Sequence, residues 1–263
     1  MEQYYFIVAC LLSSMLGLCV GSFLNVVIYR LPLKMSLSKP SSHCTTCDYV
    51  LRWYDNIPVI SYIMLGGKCR SCKERISPRY MLVELANGIL WLLCVILFWK
   101  QSPVYAVLTA LAITVMICIF FIDLEHLIIF NRFSIALALL GVGCIFTDPY
   151  TVWYDHLIGA LAGALLFLLI YFGAILVLKK EGMGFGDVKL AAAGGLLLGW
   201  QRFIFAIIVA SVTASIVLLI IRIKNKHEKG REYPFGPFIV LGITLSLFVG
   251  APIMDWYIGL LLG

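Results

Sequence analysis

The stretch Gly182-Met183-Gly184-Phe185-Gly186-Asp187-Val188-Lys189 sets a carboxylate among glycines at the mouth of an apolar segment. A charged side chain beside hydrocarbon is costly and marks an ion path, a proton relay or a catalytic group. Gly184 and Gly186 carry no Cβ, so they tolerate unusual backbone angles and allow a second backbone to approach. That suits a site that grips an extended peptide next to its carboxylate. The plain alternative is a glycine-rich turn with an acid at a helix N-terminus, where the helix dipole favours negative charge.

The segment is one of a series. Of the 263 residues, 62% are hydrophobic and 13% charged, with a mean hydropathy of +0.99, well outside the balance of soluble domains. Measured against a span of roughly 20 residues, apolar runs predict helices near 4–29, 80–99, 104–122, 128–147, 155–178, 187–200, 203–223 and 235–261. The fold class is therefore an all-α polytopic membrane protein with about eight transmembrane helices. Glu2 stands where a cleavable signal would carry basic residues, so the first run is read as a retained span. The sixth run is short and can be partial or re-entrant, and Pro252 can kink the last.

Placing the N-terminus outside puts 30–79, the turn near 123–132, the region 179–189 and the loop 222–234 inside. These hold 18 of the 20 Lys and Arg residues, leaving Lys100 and Arg202, a strong positive-inside bias. Topology thus accounts for the formal charge of +6, and no aromatic and basic stacking platform points to nucleic acid. The same orientation brings Asp123, at the end of Phe120-Phe121-Ile122-Asp123, and Asp187 to one depth at the cytoplasmic membrane face, as a shared site requires. Gly17-x-x-x-Gly21, Gly159-x-x-x-Gly163 and Gly195-x-x-x-Gly199 read as helix-packing stripes.

The polar segment 30–79 holds Cys44-x-x-Cys47 and Cys69-x-x-Cys72. Two such pairs fit a tetrahedral zinc ribbon, and fifty residues need a staple of this kind. A cytoplasmic location disfavours stable disulfides; His43 is a lesser candidate ligand. The chain divides into a first helix (1–29), a four-cysteine zinc-binding domain (30–79) and a transmembrane core (80–263). Glu84, early in the second span, is a candidate polar contact, though it reads first as an interfacial acid reaching for the headgroups.

The order of motifs resembles the bacterial type IV prepilin peptidases of the GxGD aspartic protease class. The matching pieces are Gly21 to Pro32, the paired cysteines, Trp53-Tyr54-Asp55-Asn56-Ile57-Pro58, Arg79-Tyr80 with Val83-Glu84, Phe121 to His126, Gly182 to Lys189, and Pro234-Phe235-Gly236-Pro237-Phe238. The resemblance implies that Asp123 and Asp187 are the catalytic pair and that Gly184 and Gly186 are the motif's glycines. One departure stands: many relatives have Pro-Asp where this chain has Phe130-Asn131. The resemblance further implies prepilin or pseudopilin substrates, an inner-membrane location, and methylation of the new N-terminus from S-adenosylmethionine. No residue is assigned to that methyl donor, since no glycine-rich cofactor fingerprint occurs, and the peptidase step needs no cofactor.

Carboxylates within a few ångströms share a proton over a broad pH range. One can then take a proton from an attacking water while the other donates to the scissile carbonyl. Glu125 and His126 follow too closely on Asp123 to be assigned a face. Competing classes are a transporter or channel with paired carboxylates, a non-catalytic zinc-bearing assembly factor, and a protease for other transmembrane substrates.

Overall fold

With no water to pair with, backbone groups in hydrocarbon must pair within their own segment, and the helix is the element that does so. The computed structural model obeys this rule; it describes residues 2–179, 183–224 and 233–262, and among them no strand occurs. Gly182, Lys180, Lys226, Lys229 and Arg231, which entered the sequence reading, lie outside the described residues.

α1 (Glu2–Arg30) leads through a 3₁₀ turn (Trp53–Asn56) and the short α2 (Ile60–Met64) to α3 (Arg79–Phe98). Then follow α4 (Pro103–His126), α5 (Asn131–Ile145), α6 (Trp153–Leu178), α7 (Phe185–Leu198), α8 (Trp200–Lys224) and α9 (Gly236–Leu262). Each of the eight apolar runs is thus a helix. Six of them, α1, α3, α4, α6, α8 and α9, are long and apolar enough to cross a membrane. α5 and α7, with 15 and 14 residues, reach only about 21–23 Å at 1.5 Å per residue, against a hydrocarbon core of about 30 Å. The count of eight spans therefore becomes six full-length helices and two short ones. α9 continues through Pro252 as one helix.

The chain forms two compact units, 1–99 and 100–263. In the first, α1 and α3 pack closely because glycine lets their backbones meet. A Cβ on Gly21 would stand 2.8 Å from the Glu84 Cα, and one on Gly17 would stand 3.0 Å from the Gly88 Cα. Asn87 Nδ2 donates to the Gly17 carbonyl at 2.7 Å and Asn25 Nδ2 to the Tyr80 carbonyl at 3.0 Å, two side-chain bonds that tie α1 to α3, while the buried Asn25 Oδ1 has no partner among the described residues. Glu84 departs from its expected role: it is buried and accepts the Val59 N–H at 2.7 Å, pinning the residue that caps α2 with a positive φ of 62°.

In the second unit the stripes predicted on α6 and α7 interlock. A Cβ on Gly195 would strike the Gly159 carbonyl, and one on Gly163 would lie 2.6 Å from the Ala191 carbonyl. Near the start of α4 a buried polar cluster ties the helices together. The Arg202 guanidinium pairs with Asp148 and donates to the Tyr105 hydroxyl at 3.1 Å and to the Leu198 carbonyl at 2.7 Å. His156 bonds the Thr151 hydroxyl and the Leu196 carbonyl, both at 2.8 Å, and Ser246 Oγ donates to the Arg202 carbonyl at 2.6 Å. This explains Arg202, one of the two exceptions to the positive-inside pattern: its charge is cancelled by Asp148.

Candidate active site

Asp123 occupies the last turn of α4, which closes when Leu127 N–H donates to the Asp123 carbonyl at 2.9 Å. Leu127 itself turns left-handed at φ 56° and ends the helix. An acid at a helix C-terminus faces its own dipole. Here the opposing element compensates, for α9 starts at Gly236, whose backbone hydrogen-bonds the Asp123 carboxylate.

Asp187 is the third residue of α7, after the extended N-cap Gly184 at φ −70° and ψ 141°. Asp187 N–H donates to the Gly184 carbonyl at 3.0 Å, and the Asp187 carboxylate takes a backbone bond back from Gly184. The acid thus fills the position of a capping-box partner and satisfies an orphan donor. Both carboxylates are buried, Asp123 at 5% and Asp187 at 7% exposure, and each lies within the electrostatic field of the other. The structure therefore brings together the two acids that sequence reading had put at one depth. Glu125 and His126 are exposed.

The two motif glycines differ in what they leave room for. Neither Gly184 nor Gly186 adopts a positive φ. A Cβ on Gly186 would come 2.9 Å from Ile129 Cβ, so its task is to admit a side chain, not a second backbone. Around Gly184 the nearest heavy atom a Cβ would meet is Asp187 Oδ2 at 3.8 Å, which leaves space beside the carboxylate. Two residues were missed: Gly236, where a Cβ would stand 2.5 Å from Asp123 Oδ2, and Ile129, whose Cδ1 lies 3.1 Å from that same point. Gly236 was visible only as part of a motif, and Ile129 carried no sequence signal.

The cysteine segment builds a second centre, within the first unit. Sγ atoms of Cys44, Cys47, Cys69 and Cys72 all lie within 4.8 Å of one another, with Cys44 to Cys72 at 3.8 Å and Cys47 to Cys69 at 3.9 Å. Tetrahedral zinc with Zn–S of about 2.3 Å separates its sulfurs by about 3.8 Å, so the donors fit that ion. Two matching knuckles present them. In one, Cys44 N–H donates to the Tyr49 carbonyl at 3.0 Å and Asp48 turns at φ 55°; in the other, Cys69 N–H donates to the Glu74 carbonyl at 2.8 Å and Lys73 turns at φ 62°. Backbone N–H groups of Thr46 and Cys47 bring the Cys44 thiol down to about 6, whereas at Cys72 the Glu74 backbone bond is outweighed by burial and the neighbouring thiols, which push the thiol up to about 12. His43 Nδ1 bonds the Ser41 carbonyl, and His43 is not in the sulfur cluster.

Asp55, also missed as an individual residue, locks the knuckles together. It accepts from Arg70 Nε at 2.7 Å, between the second pair of cysteines, and from the Tyr49 hydroxyl at 3.2 Å beside the first. Burial raises its carboxyl, but Arg70, the Arg52 N–H and Tyr49 outweigh that and hold it below the usual carboxylate range.

Two buried carboxylates from separate helix ends, each steadied by a backbone donor and set in a bundle with six helices long and apolar enough to cross a membrane, form the kind of pair that acid–base hydrolysis uses. The chain belongs to the type IV leader peptidase family: residues 110–219 match that family, and residues 15–98 match the bacterial peptidase A24 N-terminal domain. It is 32% identical over 277 residues to a prepilin leader peptidase/N-methyltransferase of Aeromonas salmonicida, covering 95% of this chain and 94% of that one. Proteins with the same name from Pseudomonas putida and Myxococcus xanthus are 34% and 37% identical, covering 95% and 87% of this chain and 93% and 69% of theirs. No solved structure matches. Family membership sets aside the transporter and assembly-factor readings.

Proposed function

We infer that this chain removes the short basic leader from a type IV prepilin or pseudopilin and then methylates the exposed N-terminal amine. The observation that carries the peptidase reading is the pair Asp123 and Asp187, both buried and each bonded by a backbone N–H at a helix start. One carboxylate takes a proton from water as its oxygen bonds the scissile carbonyl carbon. The other, as acid, protonates the carbonyl oxygen. Collapse of the tetrahedral species breaks the C–N bond as the leaving amine takes the proton that the first carboxylate had accepted from water, and the second carboxylate recovers its proton from the hydroxyl that becomes the new carbonyl, with no covalent enzyme intermediate. The space beside Gly184 suits an extended substrate backbone next to Asp187.

The positive-inside pattern supports a cytoplasmic face for the dyad and the cysteine domain in the bacterial inner membrane, with the N-terminus outside. That face is where a leader meets the apolar helix of a pilin. Cys44, Cys47, Cys69 and Cys72 would hold a structural zinc ion that staples segment 30–79. S-adenosylmethionine would supply the methyl group to the new amine, which would lose a proton as S-adenosylhomocysteine leaves.

The test is cleavage of purified prepilin in detergent by wild type, Asp123→Asn and Asp187→Asn, with mass spectrometry of the product N-terminus. Both variants are expected to bind and not cut, and wild type with S-adenosylmethionine to add one methyl group. Cutting by either variant at near wild-type rate would overturn the dyad.

A further inference from the structure

Between the two carboxylates in sequence runs a strap, residues 127–130, that the reaction as described does not use. It starts at Leu127, a left-handed non-glycine residue, a conformation uncommon enough to need a reason. It carries half-buried Ile129 into the gap between the starts of α7 and α9. There the Ile129 side chain meets both glycines of the site, at 2.9 Å from where a Cβ on Gly186 would stand and 3.1 Å from where one on Gly236 would stand. Gly186 adjoins Asp187 in sequence, and Gly236 bonds Asp123. Just beyond the strap, Asn131 Oδ1 accepts from Lys189 Nζ at 2.7 Å, and Lys189 lies over the Phe185 ring at 4.8 Å. The strap is thus wedged in the middle and latched to α7 at its far end.

We propose that Ile129 is a positioning residue for the dyad, a spacer that sets how close α7 and α9 bring the two carboxylates, and that Lys189 and Asn131 latch it in place. The argument is geometric. The Asp123 carboxylate, carried by α4, is bonded from the start of α9, and Asp187 is carried by α7, so the placing of the two carboxyl groups depends on what fills the space between those helix starts, where Ile129 lies. The inference rests on the dyad reading. A misplacement of about 1 Å in a catalytic constellation costs on the order of 10²-fold in rate. An error of this kind lowers kcat and leaves KM, which reports substrate binding, largely alone.

The experiment measures kcat and KM for prepilin cleavage by the purified full-length protein in detergent, with the thermal unfolding midpoint of each variant. Ile129→Ala is expected to lose on the order of 10²-fold in kcat with KM and midpoint near wild type. Ile129→Val, which keeps most of the spacer, should rescue most of the rate. Lys189→Met and Asn131→Leu should each lose kcat, while Asn131→Asp, which turns the latch into an ion pair, should retain it. An unaltered kcat in Ile129→Ala would overturn the proposal, as would a rise in KM alone, which would make the strap a substrate contact. Loss of folded protein in Ile129→Ala, Ile129→Val and Asn131→Leu together would also overturn it, by showing that the strap holds the fold. Asp123→Asn and Asp187→Asn in the same assay separate the two readings: if they are dead and Ile129→Ala is unaffected, only the spacer fails.

Discussion

At the scale of single residues, Gly236 and Gly184 differ in what they exclude. A methyl group on Gly236 would stand 2.5 Å from Asp123 Oδ2, inside any tolerable contact. Gly236→Ala is expected to displace the carboxylate and abolish cleavage, with folded protein still recovered. Gly184→Ala meets nothing closer than 3.8 Å, so its unfolding midpoint should match wild type. Its methyl would enter the space proposed for substrate, and the rise should appear in KM. Kinetics and thermal melts on the two variants check both statements; equal behaviour would refute the distinction. Asp123 and Asp187 were legible as single letters because an acid at the edge of an apolar run is conspicuous. Ile129 was not, since one isoleucine in an apolar chain looks like any other and only the folded chain shows what it separates.

At the scale of elements, the cysteine segment is two knuckles that bring four sulfurs into one cluster and share one carboxylate. Asp55 is held below the usual carboxylate range, so the folded segment favours its charged form. Its stabilising contribution is complete above the unfolded-state carboxylate value of about 3.9 and is lost as pH falls through the lower folded value. Asp55→Asn should therefore release zinc to a chelator faster than wild type at neutral pH, and the difference should shrink on acidification. Arg70 is 44% exposed in its side chain, so water screens the pair and the effect should be a few-fold rather than a collapse. Cys44→Ser or Cys72→Ser, by contrast, removes one of the four clustered thiols. Processed but unmethylated pilin from those variants would support assigning methylation to this segment, whereas complete loss of protein would mean that the segment merely holds the fold. The cysteine spacing alone pointed to a metal, because ligand geometry is local. The role of Asp55 was not legible, as it depends on Tyr49 and Arg70 meeting from opposite sides.

At the scale of the whole molecule, the helices were legible because hydrocarbon demands continuous apolar runs. The cluster around Arg202 was not. Its partners are separated by as many as 97 residues, and none of Tyr105, Asp148, Thr151, His156 or Ser246 stands out singly. Removing one member strands the other charge, so Arg202→Met or Asp148→Asn should each cost about 3–5 kcal/mol. The double change Arg202→Met with Asp148→Leu should recover much of that. Denaturant titration in detergent measures both. Asp123 lies 18 residues beyond Tyr105 on α4, about 27 Å at 1.5 Å per residue. The activity of the protein that still folds should therefore be preserved. The order of the pair along the chain has a consequence for biogenesis. Asp148 leaves the ribosome 54 residues before Arg202. The anion has thus already been delivered when the cation must enter the bilayer, and the arginine joins a waiting counter-charge.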